Sequence, residues 1–207
     1  MKNALRALAA LLSYPDPALR EALPEIRAAA PREVWPLVDE IEACGPYEAE
    51  EGYVALFDRS RALSLHLFEH VHGESRDRGQ AMVDLLAMYE AHGLSVREHE
   101  LPDYIPAFLE FLSLLEPGEA RKLVAETAHI LRALGDRLAE RGTRYATVFE
   151  AVLKLARLPG LSKAIVERVP AEPDRSALDA QWMDPEVTFG PGPQIAPVRF
   201  YRNGVAA

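Results

Sequence analysis

Apolar residues recur at helical spacing along most of this chain. Leu5, Leu8 and Leu12, with Ala9, form a first stripe that stops at Tyr14-Pro15-Asp16-Pro17. Leu19, Leu23 and Ile26 predict a second helix, which Pro24 breaks or kinks. Pro31 opens a third, with Val34, Leu37, Val38 and Ile41 on its apolar face, and Gly45-Pro46 stops it. Tyr47 to Phe57 follows, then a polar corner at Asp58-Arg59-Ser60-Arg61. Leu63, Leu67 and Val71 predict a helix over Ala62–His72, with Gly73 as its C-cap. Ser75 is an N-cap for a long helix through Ala91, carrying Met82, Leu85, Leu86 and Tyr89 inward, and Gly93 closes it.

Leu101-Pro102-Asp103 starts a further helix with Ile105, Phe108, Leu109, Leu112 and Leu115. Pro117-Gly118 separates it from Glu119–Arg141, and Gly142-Thr143 separates that from Tyr145–Leu158. No alternating β-branched run and no Asn-Gly hairpin signal is present. The fold class is therefore all-α, a single-domain helical bundle over residues 1–168. Residues 169–207 are dense in Pro and Gly, which excludes a long helix. Trp182, Val187, Phe189, Ile195, Val198, Phe200 and Tyr201 favour an extended arm over a plain disordered tail.

Charge narrows the partners. The 207 residues carry a formal net charge of -9, which disfavours nucleic acid and anionic membrane and favours a basic or apolar partner. Cys44 is the only cysteine, so no internal disulfide forms, in keeping with a reducing cytoplasm. Arg6 interrupts the apolar start, so Met1–Asp16 reads as an amphipathic helix and not a signal peptide. No apolar run reaches membrane-spanning length, so no direct membrane insertion is expected.

One stretch carries candidate chemistry. His66, Glu69 and His70 fit H-x-x-E-H, in which two histidines one helical turn apart clamp Zn²⁺ and the Glu activates water. A zinc-dependent hydrolase is thus one reading. A catalytic site needs a third protein ligand, however, and Glu140 and Glu150 sit in no ligand motif. No G-x-S-x-G, P-loop or G-x-G-x-x-G is present, so no catalytic residue, metal or resident cofactor is expected. His72, His92, His99 and His129 take no role from sequence.

Longer motifs favour a binding protein. Leu11-Leu12-Ser13-Tyr14-Pro15, the whole of Tyr53–Leu86, Glu100-Leu101-Pro102-Asp103-Tyr104-Ile105-Pro106, and Trp182 with Val187-Thr188-Phe189-Gly190 closely resemble the NarJ family of nitrate reductase assembly chaperones. Two positions depart from the family pattern: Ser60 where Gly is usual, and Tyr104 where the E-x-x-D-H signature has His. The resemblance implies an all-α chaperone that binds the apo α subunit of nitrate reductase, partly through its N-terminal peptide. It would hold that subunit ready for molybdenum cofactor insertion and delay its docking on the membrane. A chaperone of a different molybdoenzyme is the nearest alternative.

Under that resemblance the expected peptide-binding residues are Arg61, His66, Glu69, His70, Glu74, Glu100, Asp103 and Tyr104. An apolar groove would take the face of an amphipathic segment, and the acidic residues at its rim would orient it. Asp103 is equally readable as a helix cap. Arg59, Arg61, Arg76 and Arg78 with Asp58, Glu74 and Asp77 are readable as a local ion network.

Overall fold

The computed structural model describes residues 1–59, 61–71, 76–96 and 100–163. Within them lie α1 (Lys2–Leu11), α2 (Pro17–Glu21), α3 (Leu23–Ala29), α4 (Trp35–Ala43) and α5 (Pro46–Phe57). These are followed by α6 (Arg76–Ala91), α7 (Ile105–Leu114), α8 (Pro117–Glu140) and α9 (Ala146–Leu155). Short 3-10 turns cover Arg32–Val34, Arg61–Leu63 and Leu67–Glu69. The all-α expectation holds: the described residues contain no strand, only one isolated antiparallel bridge.

Two helix pairs make the core. α1 packs along α7, and α8 along α9. Leu5, Leu8, Leu11 and Leu12 are sealed against Ile105, Phe108, Leu109 and Leu112. Val124, Leu131, Leu134 and Leu138 of α8 face Val148, Phe149, Val152 and Leu153 of α9. α6 contributes less to this core: among its described side chains Leu85 and Tyr89 are buried and Met88 packs against the core, while Val83 and Leu86 are exposed.

Helix boundaries follow prolines and orphaned carbonyls. Pro24 falls in the first turn of α3 and divides it from α2, as its missing N–H requires. Pro36 is tolerated in the first turn of α4. The last carbonyls of α4 are met by a distant side chain: the Arg20 guanidinium donates to Ile41 O at 2.7 Å and to Cys44 O at 2.9 Å.

Four expectations need correction. In place of the helix expected over Ala62–His72, the described residues up to Val71 form two 3-10 turns flanking an extended residue, His66 at φ -104° and ψ 116°. Pro117 opens α8 and does not merely precede it, because a first-turn residue has no intrahelical bond for its nitrogen to lose. α7 begins at Ile105, after Asp103. α9 ends at Leu155, and Arg157 beyond it adopts a left-handed φ of 62°. Gly73, Ser75, Ser60, His72, His99 and the arm over 169–207 lie outside the described residues.

Candidate functional site

Leu63-Ser64-Leu65-His66-Leu67 alternates apolar and polar residues: Leu63, Leu65 and Leu67 are nearly sealed, Ser64 is buried beside them and His66 is half-buried. Apolar-polar alternation suits extended chain, and between the two 3-10 turns the backbone is extended at His66. Leu67 N donates to Asp103 O at 2.9 Å, and Ile105 N donates to Leu65 O at 2.8 Å. The two bonds flank the His66–Tyr104 pair, making it the non-hydrogen-bonded kind whose side chains stand closest. The His66 and Tyr104 rings accordingly meet at 5.4 Å between centroids.

Asp103 locks this clasp from within. Its side chain is wholly buried. One carboxylate oxygen accepts from Phe68 N at 3.1 Å, the other from His66 Nδ1 at 3.1 Å. A buried carboxylate needs such partners, since burying it unpaired would cost several kcal/mol. Asp103 therefore caps the 3-10 turn at Leu67–Glu69 across a sequence gap of 35 residues. It neither stands at a rim nor caps α7, whose N-cap is Tyr104, with no side-chain bond to the helix's first amides.

Tyr104 extends the clasp toward the N-terminal motif. Tyr53 donates its hydroxyl proton to Leu12 O at 2.9 Å, leaving its oxygen to accept from the Tyr104 hydroxyl at 3.3 Å. Tyr53 also touches the rings of Tyr14, Phe57 and Tyr145. Burial, and then the neighbouring Tyr104, pushes the Tyr53 phenol well above its ordinary range, and burial likewise raises Tyr104. The hydroxyls thus stay neutral, and the tyrosine standing at 104 is tied in by a hydrogen bond. Sequence reasoning missed Tyr53 and Tyr145 as members of this site. Their signal was present as aromatic residues in the second half of α5 and at the N-cap of α9, but what joins them is tertiary.

Four of the remaining expected residues are described, at varied positions. Glu69 pairs with Arg78 at 3.4 Å. His70 Nε2 donates to Ser64 O at 2.8 Å. Glu100 is partly buried and close enough to raise Tyr104 further. Arg61 is exposed on its 3-10 turn. Glu74 lies outside the described residues. The structure thus brings His66, Asp103 and Tyr104 together.

The zinc reading does not survive this geometry. His66 is extended and His70 follows a 3-10 turn, so the one-turn helical spacing that would aim both rings at one ion is absent. His70 Nε2 carries a proton toward a carbonyl, and His66 Nδ1 faces Asp103. Among the described residues no group of three or more His, Cys, Asp or Glu is placed to hold a metal.

Comparisons with known proteins agree with the binding reading. The sequence model of the family described as "Nitrate reductase delta subunit" matches residues 13–151. The nitrate reductase molybdenum cofactor assembly chaperone NarJ of Escherichia coli K12 is 44% identical over 86% of this chain and 81% of its own length. The protein of that name from Escherichia coli O157:H7 matches to the same extent. Among solved structures, a proposed redox enzyme maturation protein from Archaeoglobus fulgidus superposes with a TM-score of 0.60, covering 76% of this chain and 94% of that one. At 22% identity that likeness shows the fold alone.

Proposed function

Because the chain belongs to the nitrate reductase delta subunit family, we propose that it is an assembly chaperone for the molybdenum cofactor of a nitrate reductase. It is a binding protein and not a catalyst, in line with relatives named as assembly chaperones. Its client is the apo catalytic α subunit, held partly through the N-terminal peptide until cofactor is inserted and only then released to dock at the membrane. The work takes place in the cytoplasm, and no described helix is long and apolar enough to cross a membrane.

The observation that carries this reading is the 44% identity to NarJ across 86% of the chain. The geometry supports it. The N-terminal Y-P motif, Tyr53, the histidine segment and the L-P-D-Y motif are far apart in sequence yet meet around one clasp. Of the expected recognition residues, His66, Glu69, His70, Glu100 and Tyr104 are partly exposed and Arg61 is exposed, so all are open to a partner. Asp103, buried beneath them, holds His66 and Phe68 in place. A net charge of -9 suits a partner segment with basic residues.

Capture from two strains tests the proposal. The tagged chain is expected to retain the nitrate reductase α subunit from cells unable to make molybdenum cofactor, and far less of it from cofactor-replete cells. Retention of another molybdoenzyme in its place would reassign the client. Equal capture from both strains would remove the link to cofactor insertion.

A further inference from the structure

We propose that the cavity between α4, α5 and the turn leading into α9 binds a small organic ammonium ion, a charged amine on a short apolar stem. This is a ligand site in its own right and does not rest on the chaperone reading. Its volume is about 190 Å³, and Ile41, Ala49, Leu56 and the rings of Tyr53 and Tyr145 form apolar walls. A dry cavity of about 150 Å³ takes a benzene molecule, so this one holds a compact ligand of about six to eight heavy atoms.

Tyr145 is the residue that points to a ligand. It is only 8% exposed, yet its hydroxyl has no hydrogen-bond partner among the described residues. Its ring meets Phe57 and Tyr53 edge-on, at 5.1 and 6.3 Å between centroids. The oxygen is left with Glu40 and Cys44 as its titratable neighbours, and both lie on the cavity wall. A buried hydroxyl without a partner costs free energy, which a donor placed in the cavity would recover.

Charge specifies the donor. Glu40 and Glu48 line the cavity. The two guanidiniums beside it are engaged by the protein: Arg144 pairs with Glu40 at 3.2 Å and donates to Pro36 O at 3.1 Å, and Arg20 donates to Ile41 O and Cys44 O. The field in the cavity is left negative. Burial, then Glu48 and Glu40, push the Cys44 thiol up against the smaller opposing effect of Arg20. A thiol kept protonated is a poor nucleophile and a poor metal ligand. Among the described residues these groups are not placed to hold a metal ion either. An organic cation fits: its N–H groups donate to the Tyr145 oxygen and to a carboxylate, and its stem covers the apolar wall. Aromatic walls suit such a cation as well.

Cys44 is the only cysteine of the chain and lies on the cavity wall, so its reactivity reports on occupancy. The test follows its modification by methyl methanethiosulfonate on the full chain, by mass spectrometry, with and without n-pentylammonium chloride. The amine at ten times its dissociation constant is expected to slow the reaction about tenfold. Pentanol and pentanoate at the same concentration should leave the rate unchanged. Tyr145→Phe, which removes the hydroxyl alone, and Glu48→Gln, which removes a charge, should each raise the amine's dissociation constant about fivefold. Gly52→Leu puts a side chain into the cavity from a position where an added Cβ meets nothing within 4 Å, and should abolish protection. Glu51→Gln, exposed on the same helix but off the wall, should be protected like the parent. Far-UV circular dichroism confirms that each variant folds. Absence of protection in the parent means that the cavity holds water alone, and overturns the proposal. Protection by pentanol equal to that by the amine overturns it too, as does unchanged protection in both Tyr145→Phe and Glu48→Gln.

Discussion

Asp103 shows how much one buried carboxylate can organise. Both of its oxygens are engaged, one by the Phe68 amide and one by the His66 ring. Asp103→Ala leaves that amide without an acceptor inside the protein, and urea unfolding should show a loss of about 1–3 kcal/mol. Asp103→Asn keeps one acceptor oxygen and should lose less. Equal stability of all three proteins would mean that the clasp is not held by this side chain. The sequence marked Asp103 as a residue of interest but offered only local roles for it. A rim charge or a cap for the following helix needs neighbours within a few positions, whereas its true partners are 35 and 37 residues away. Tyr104 was legible as a departure from a motif. Its bond to Tyr53 was not, because nothing in the spacing of two tyrosines 51 residues apart announces it.

At the scale of elements, helices with a continuous apolar stripe were readable and short mixed segments were not. α1, α4, α7, α8 and α9 lie close to where their stripes place them. The stretch after Arg61 failed because Leu63, Leu67 and Val71 match a helical period while Leu63, Leu65 and Leu67 match a period of two. Tertiary pairing with Tyr104 chose the second, and Val71 is left 49% exposed. The α8–α9 crossing makes a prediction of its own. A Cβ at Gly135 would sit 2.9 Å from Phe149 Cβ and would press on Leu161. Alanine gains about 0.5–1 kcal/mol over glycine in a helix, but overpacking costs about 1–3 kcal/mol, so Gly135→Ala should lower the melting temperature. Gly79 in α6 has open space where its Cβ would stand, so Gly79→Ala should raise the melting temperature or leave it unchanged. The reverse order in a thermal scan would contradict the packing described for α8 and α9.

For the whole molecule, buried phenols set the alkaline limit. Burial comes first among the causes that raise Tyr53, Tyr89 and Tyr145. In the unfolded chain these groups ionise near pH 10, while the folded chain keeps their protons. The unfolded state therefore binds fewer protons above that pH, and stability falls as pH rises through it. Stability should be level with respect to these groups below about pH 10, then drop by up to about 1.4 kcal/mol per pH unit for each phenol held neutral. Denaturant melts between pH 8 and 11, with phenolate absorbance followed alongside, check this. Ionisation of these phenols without loss of helix would show that they are not enclosed. The clasp has a consequence for chain connectivity as well. Two main-chain bonds and one carboxylate bring the ends of the stretch between Leu67 and Asp103 together, and from within it α6 buries Leu85 and Tyr89 and packs Met88 against the core. That stretch is a loop closed at its base by the clasp and tied again further along, where Tyr89 and His92 pack on Phe111. Doubling the length of a flexible closed loop costs only about 0.6 kcal/mol, so insertions there would be absorbed while the bundle beneath keeps its register.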